Sequence, residues 1–194
     1  MEEVLYHGTE RKKALNIIKT QTFQVIEDAD NQRLLGTGAY FYFEKLDAYE
    51  WNVKEYRENN NKRFPEYKDM NDMYAIIETS ILINNRNILD LDERNGIIKY
   101  KVIVKNIKQF LLGKEDYRDK NELSTIINLL YEKKMMNDTY AIEKTFPFPI
   151  PKSFGAKNIM KRMICIKKVD ILKEFRMSQN INIEEYEKVK ILYT

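Results

Sequence analysis

The stretch that most constrains this chain is a pair of closely spaced glycines, Gly36 and Gly38, followed after one residue by the aromatic run Tyr40–Phe43. A glycine has no Cβ atom, so this turn can adopt backbone conformations, or approach a flat ligand, where other residues are obstructed. Strand alternation places the two tyrosines of the run on one face of a sheet and the two phenylalanines on the other. The pattern predicts a strand that presents tyrosine rings beside a glycine turn, with Phe41 in the core.

The single histidine lies in a second short motif near the start of the chain. The apolar stretch Val4–Tyr6 predicts a strand, and we expect it to end in a turn at His7 and Gly8. Thr9 is a suitable N-cap for a helix over Glu10–Thr20, in which alanine, leucine and isoleucine recur at helical spacing.

Composition limits the classes of protein that this sequence can form. With 194 residues, 43% hydrophobic and 32% charged, the chain predicts a single domain over residues 1–194 with a substantial core. A net charge of +3 neither requires nor excludes a nucleic-acid partner. One cysteine and one histidine exclude an internal disulfide and argue against a zinc site, so no metal is expected. No signal-peptide pattern and no membrane-length apolar run is present, so we expect a cytoplasmic protein without a membrane partner.

The remaining pattern mixes strands with separate helices. Strands are predicted at Thr22–Ile26, Tyr74–Ile83, Met163–Ile166 and Val189–Tyr193, with the second of these central in its sheet. Helices are predicted from Asp47 to Tyr56 and over Glu122–Lys134. Residues 96–112 suit a helix, although Tyr100–Val104 could equally be a strand. The proline-rich segment Thr145–Pro151 cannot be a helix interior. This mixture predicts an α+β fold.

The two glycine motifs, together with the helix containing Ala48 and Trp51, resemble ADP-ribosyltransferases of the poly(ADP-ribose) polymerase-like, diphtheria-toxin-like type. The resemblance implies a split antiparallel sheet with flanking helices and NAD as the substrate. It also implies a small bacterial or phage protein that acts as a toxin or antiviral defence effector, with a possible antitoxin or regulatory partner.

Carried over by position, the resemblance assigns NAD binding to six residues: His7, Gly8, Thr9, Gly38, Tyr40 and Trp51. His7 would hydrogen-bond the nicotinamide ribose, and the main chain of Gly8 would hold the carboxamide. Tyr40 and Trp51 would enclose the nicotinamide ring, with Tyr49 as the alternative to Trp51.

A third member of the family's catalytic set, a glutamate that opens a late strand, has no counterpart here. The residues before Ile164 are Lys161, Arg162 and Met163. Glu143, expected in a loop before the proline segment, is the nearest substitute, and Glu78 is a weaker candidate. The predicted catalytic residues are therefore His7, Tyr40 and Glu143.

The expected activity is transfer of a single ADP-ribose unit from NAD to a protein or nucleic acid. Two alternatives remain open: an NAD glycohydrolase, and a module that binds NAD or ADP-ribose without catalysis. Trp51 could be core instead of ligand wall. A basic cluster is either a solvated face or a phosphate contact: Lys161, Arg162, Lys167 and Lys168.

Overall fold

A computed structural model describes residues 2–25, 34–111, 122–149 and 158–193. Within these ranges the chain forms an α+β fold. Its strands are β1 (Glu2–Glu10), β2 (Ala39–Tyr42), β3 (Tyr74–Leu82), β4 (Ile88–Asp90), β5 (Ala141–Pro149), β6 (Asn158–Ile166) and β7 (Leu172–Met177). Its helices are α1 (Arg11–Thr20), α2 (Lys45–Asn59), α3 (Tyr67–Met73), α4 (Arg94–Leu111), α5 (Glu122–Glu132) and α6 (Ile183–Tyr193).

The seven strands form one open sheet in the order β4-β5-β6-β2-β1-β3-β7. All the neighbouring pairs are antiparallel except β4 with β5, which is parallel. The Tyr74–Ile83 segment is an interior strand as β3, but it lies next to an edge, and β2 holds the central place. Its high hydrophobicity reflects burial on both faces and not a central position.

The sheet is almost divided between β1 and β2. On one side, β1 pairs with β3 through nine consecutive partners, from Glu2 with Leu82 to Glu10 with Tyr74. On the other side, β1 pairs with β2 only at Tyr6 and Tyr42. The two strands therefore separate at the point where His7 and Gly8 continue β1.

The two faces of the sheet have different cores. The face that carries Leu5, Phe41 and Ile77 packs against α1 and the segment after it. The opposite face packs around Tyr42 against α2, α3 and α6, and around Ile142 against α5. The alternation predicted for the aromatic run is confirmed, because Tyr40 and Tyr42 lie on the second face while Phe41 is fully buried on the first.

The first motif differs from its predicted local structure. His7, Gly8 and Thr9 do not form a turn, since β1 continues through them to Glu10. Thr9 is consequently not the N-cap of α1; Glu10 takes that position without a side-chain cap hydrogen bond. The long pairing with β3 overrides the turn signal of the glycine. The predicted turn at Gly36 is confirmed, and Gly36 has a φ of 76°.

Two further strand predictions need correction. Residues 22–25 have no regular structure, and Ile26 lies outside the described residues. Val189–Tyr193 ends helix α6, where Tyr186 and Val189 are buried one turn apart. Tyr100–Val104, for which the sequence left both a helix and a strand open, is helical within α4. Helix α5 ends at Glu132, slightly before the predicted Lys134.

The proline-rich segment is not helical, as predicted, and it forms the second half of β5. The Glu143 carbonyl accepts from Leu91 N–H. The main-chain N–H and C=O groups of Glu143, and of every second residue after it, therefore point toward the β4 side of the strand. Strand β4 pairs only with Ala141–Glu143, so the later residues of β5 have no neighbouring strand on that side. Pro147 and Pro149 lie on this unpaired edge, where a missing N–H has no cost.

Among the described helices, none is both long and apolar enough to cross a membrane.

Candidate functional site

A cleft of about 960 Å³ opens where β1 and β2 separate. Its walls come from both faces of the sheet, because they include Phe23 beside α1 and Trp51 on α2. All six residues predicted to bind NAD line this cleft: His7, Gly8, Thr9, Gly38, Tyr40 and Trp51. The fold thus brings together two sequence motifs about thirty residues apart. Their assigned roles remain predictions.

The His7 imidazole bridges the two separating strands. Its Nδ1 donates to the Tyr40 carbonyl oxygen at 2.8 Å, so the ring replaces a strand-to-strand hydrogen bond. Because a carbonyl only accepts, Nδ1 carries the proton, and Nε2 of the neutral ring is an acceptor. Nε2 has no hydrogen-bond partner among the residues described. Phe23 contacts the ring edge to face with centroids 4.9 Å apart, and Phe41 packs against it at 5.5 Å.

Burial keeps this histidine uncharged. Desolvation lowers the pKa of His7 below its usual value, and the hydrogen bond to Tyr40 opposes that shift only in part. At neutral pH the imidazole is therefore neutral, with a defined tautomer and an orientation fixed by two phenylalanine rings. Such a group can accept a hydrogen bond from a ligand hydroxyl.

The main chain of Gly8 faces the gap between the strands. The Ile76 carbonyl accepts from Ser178 N–H on the β7 side, so Ile76 directs its main-chain groups away from β1. Gly8 is the partner of Ile76 and forms a pair that is not hydrogen-bonded, so its N–H and C=O point toward β2. The β1–β2 ladder does not continue beyond Tyr6 and Tyr42. This donor and acceptor are positioned to bind an amide.

The glycine at this position has a packing reason as well. A Cβ atom on Gly8 would overlap the Ala48 carbonyl oxygen and the Asn52 side chain of α2. The missing side chain lets α2 lie directly on β1 at the edge of the cleft. Helix α2 also carries Trp51, so the close approach places that ring near the gap.

Tyr40 is held by the glycine turn that precedes it. Its hydroxyl donates to the Gly36 carbonyl at 2.6 Å and accepts from Leu35 N–H at 2.8 Å. The ring is half-buried and lines the cleft. A Cβ on Gly38 would overlap Cys165 Sγ, so this glycine permits close packing of the turn on β6. Cys165 itself is a buried thiol.

Trp51 provides the second aromatic wall. It is 40% exposed and lines the cleft from α2, so it is not a core residue. The alternative, Tyr49, is 4% exposed, packs in the core formed with α3 and α6, and does not line the cleft. Tyr42, which sequence analysis did not select, also lines the cleft from the strand face shared with Tyr40. The alternation already identified could have indicated it.

Three lysines at the cleft were not predicted: Lys12, Lys13 and Lys54. All are exposed, and Lys13 pairs with Glu10 at 2.8 Å. They carry positive charge on α1 and α2, on both sides of the gap. Their spacing on separate helices leaves no continuous sequence motif by which to find them.

The predicted basic cluster is not one face. Lys161 is buried in an ion pair, and Arg162 pairs with Glu143 on the other side of β6. Lys167 donates to the carbonyls of the glycine turn, and Lys168 lies over the Tyr140 ring at 3.9 Å. These four side chains have structural partners in different places. None of them lines the cleft.

Glu143 lies apart from the cleft, and its predicted loop position is wrong. It is a buried residue of β5 whose carboxylate accepts from Arg162 Nε. Burial raises the pKa of Glu143, and Arg162 opposes the shift. Glu143 pairs with Ile164 of β6, and Ile164 pairs with Phe41 of β2, whose ring packs against His7. Glu143 and His7 therefore lie on the same face of the sheet. Three strand spacings separate them, or roughly 14 Å. It does not line the cleft.

Glu78 is equally removed. It lies on β3 and accepts from Arg176 Nε at 2.9 Å, near the β7 edge of the sheet. Met163 occupies the cleft wall on β6, beside Tyr42, where the resemblance would require an acid.

A smaller side pocket of about 230 Å³ adjoins the cleft and contains a buried carboxylate. The two cavities share Tyr42, Trp51, Lys54 and Phe148 as walls. Glu50 of α2 lines the side pocket, and its Oε2 accepts from Lys161 Nζ at 2.5 Å. Sequence reasoning missed Glu50 because it looks like one more charge in a polar helix.

No known protein-family model matches this sequence, and no solved structure matches it. The sequence is 28% identical to uncharacterized protein MJ0359 of Methanocaldococcus jannaschii over 152 residues. The matched region is 76% of this chain and 66% of that relative, so the chain spans slightly less than two thirds of the relative's length. The name of this relative states no activity.

Proposed function

We propose that this chain is an ADP-ribosyltransferase-like enzyme that binds NAD in the cleft between β1 and β2. It breaks the nicotinamide–ribose bond and transfers ADP-ribose to a macromolecule. The observation that carries the proposal is the convergence of His7, Gly8, Tyr40 and Trp51 on one cleft at the division of the sheet. The single pair between β1 and β2 supports the proposal, because the sequence resemblance implies a split antiparallel sheet.

Gly8, Tyr40 and Trp51 provide the groups that recognise nicotinamide. Gly8 directs a main-chain donor and acceptor into the gap, and a primary carboxamide needs one of each. Tyr40 and Trp51 approach from a strand and a helix, so they present flat surfaces to a planar ring. Two torsions fix each of these side chains, which limits the entropy lost on binding.

The ribose and the diphosphate contact a histidine and two lysines of the cleft. Neutral His7 presents Nε2 as an acceptor for a sugar hydroxyl, and its ring is held by Tyr40 and Phe23. Lys12 and Lys54 provide charge for phosphate oxygens on either side of the cleft. Fixing the sugar relative to the leaving group contributes to the rate of bond cleavage.

A second candidate, an NAD or ADP-ribose binding module without catalysis, is favoured by one observation. The wall position on β6 beside Tyr42 is Met163, and Glu143 is outside the cleft. The cationic transition state at the ribose needs nearby negative charge. If no carboxylate reaches it, NAD binds and remains intact.

The test measures NAD binding and nicotinamide release by purified wild type, His7→Asn and Tyr40→Leu. Asparagine retains a donor for the Tyr40 carbonyl, but its shorter side chain has no acceptor at the position of Nε2. We expect Tyr40→Leu to weaken NAD binding at least about tenfold, since a stacked ring contributes roughly 1–3 kcal/mol. Tyr140→Leu is the matched control, because Tyr140 lies outside the cleft beside Lys168.

Labelled NAD with cell lysate separates the possible outcomes. Retained label shows transfer, and free nicotinamide without retained label shows a glycohydrolase. Bound but intact NAD supports the binding module. Wild-type protein that does not bind NAD, or Tyr40→Leu that binds it normally, contradicts the proposal.

A further inference from the structure

The side pocket next to the cleft has the features of a second binding site. Four aromatic rings line it, from Tyr42, Trp51, Phe148 and Tyr193, together with the charged pair Glu50 and Lys161. Its volume of about 230 Å³ is below the roughly 300–1,000 Å³ of pockets that enclose drug-sized ligands. A single flat ring system therefore suits it better than a whole dinucleotide. The shared walls mean that its occupant would lie beside the ligand in the cleft.

The carboxylate of Glu50 is held in place through only one of its two oxygens. Oε2 accepts from Lys161 Nζ, and Lys161 also contacts Asp47 at 3.3 Å. Oε1 has no hydrogen-bond partner within the described ranges, although Glu50 is 5% exposed. Burial, followed by the negative charge of Glu50, raises the pKa of Tyr193 to about 12, so this carboxylate acts on the pocket wall. Oε1 is available to accept a hydrogen bond from a guest.

The aromatic walls already have cations of their own, which argues against a cationic guest. Three of the four rings lie within 6 Å of a protein cation: Trp51 with Lys54 at 5.1 Å, Tyr193 with Arg57 at 4.8 Å and Phe148 with Lys161 at 5.6 Å. A neutral planar group with N–H donors fits better, because it can stack on the rings and donate to Glu50. The exposed Lys54 adds attraction for an anionic backbone.

We propose that the side pocket binds an unpaired nucleobase of a nucleic acid, which is the acceptor of ADP-ribose, and that Glu50 is its general base. This inference rests on the proposed function of the cleft. A ring or amino nitrogen of the base forms a bond to ribose C1′, and its proton passes to Glu50 Oε1. The bond between C1′ and nicotinamide breaks, and its electron pair leaves on nicotinamide. Lys161 is a positioning residue that holds the carboxylate.

The test incubates adenine-labelled NAD with single-stranded RNA and single-stranded DNA oligonucleotides that contain all four bases. Wild type, Glu50→Gln and the matched control Glu143→Gln are compared. We expect label on the oligonucleotide with wild type and with the control. With Glu50→Gln, transfer falls at least about 100-fold while NAD binding persists, because general base catalysis contributes roughly that much.

A second measurement uses Trp51, the only tryptophan in the chain. Its fluorescence reports directly on the shared wall, and stacking of a nucleobase quenches it without NAD present. If Glu50→Gln fails to fold, the double variant Glu50→Gln/Lys161→Met takes its place in the assay, because that variant removes both charges of the buried pair. We expect quenching by oligonucleotides in wild type and in the folded variants.

The outcomes separate the two proposals. Wild type that neither binds NAD nor releases nicotinamide refutes the proposed function and this inference with it. Nicotinamide release with unlabelled oligonucleotides, or label that appears only on protein, refutes this inference alone. Oligonucleotide labelling that is unchanged in Glu50→Gln removes Glu50 from the reaction and also overturns it.

Discussion

Two neighbouring residues of β6 form two ion pairs with very different surroundings. Lys161 points to the sheet face that packs against α2 and pairs with Glu50, and both side chains are less than 10% exposed. Arg162 points to the other side and pairs with Glu143; its side chain is 49% exposed and lies over the Phe43 ring. The first pair borders a pocket beside the cleft, whereas the second stabilises the sheet away from it.

The comparison shows why a cluster of charges in a sequence does not identify a site. Strand alternation sends consecutive residues to opposite faces, so Lys161 and Arg162 cannot act on one ligand. Of the two acids, Glu143 was selected from the sequence as the substitute for the missing glutamate, but Glu50 is the one that lies beside the cleft. Removing one charge of either pair should therefore have different effects on stability and activity.

The largest expected effect is on stability in Lys161→Met. This change leaves Glu50 buried without a cation, and breaking a buried pair from one side costs about 3–5 kcal/mol. Urea unfolding followed by circular dichroism measures the free energy of unfolding. A loss below about 1 kcal/mol would mean that water reaches this pair and that it is not buried in solution.

A smaller effect is expected when both charges of the buried pair are removed. Glu50→Gln/Lys161→Met should recover at least about 1 kcal/mol relative to Lys161→Met, because no uncompensated charge remains at Glu50. The double-mutant cycle is completed by Glu50→Gln. Additive losses in the cycle would contradict direct coupling between the two side chains.

For the other pair, Glu143→Gln should cost about 1 kcal/mol or less. Arg162 is half-exposed, so water replaces much of its lost interaction. We expect nicotinamide release to stay within about threefold of wild type, since this residue does not line the cleft. A loss of activity with normal stability would return Glu143 to the catalytic residues.

The smallest expected effect is a pH dependence that comes from His7. Burial lowers the pKa of His7 in the folded protein, so between that value and the unfolded value near 6.5 only the unfolded chain binds the proton. The contribution of neutral His7 to the free energy of unfolding is fully present above the unfolded pKa and declines as the pH falls below that value. Wild type should lose more stability than His7→Asn between about pH 7.5 and about pH 5.5.

The raised pKa values of Glu143 and Asp47 act in the opposite direction as the pH falls. Both groups are present in wild type and in His7→Asn, so the difference between the two proteins isolates the histidine. Identical pH profiles would show that the His7 pKa is the same in the folded and unfolded chains.

Much of the local structure could be predicted from the sequence. Alternation placed Phe41 in the core and Tyr40 on the opposite face, and helical spacing located α1, α2 and α5. These features depend on residues a few positions apart, so their periodicity is visible in the chain. The six residues on the cleft came from a resemblance between motifs and not from periodicity.

Other features depended on neighbours distant in sequence. Gly8 looked like a turn, yet nine partners on β3 extend the strand through it. Val189–Tyr193 has the composition of a strand but is the end of helix α6. Val189 packs in the core that surrounds Tyr42. In both cases tertiary pairing or packing outweighs the local preference of a few residues.

The sequence by itself determined the α+β pattern, the alternation of the aromatic run and the two glycine motifs. Only the tertiary structure decided that β1 and β2 separate after one pair, which makes those motifs the walls of a cleft. It also decided that Glu50 and not Glu143 lies beside that cleft, because Lys161 of β6 holds the carboxylate there. Contacts between residues more than a hundred positions apart leave no periodic signal, so their positions emerge only when the chain folds.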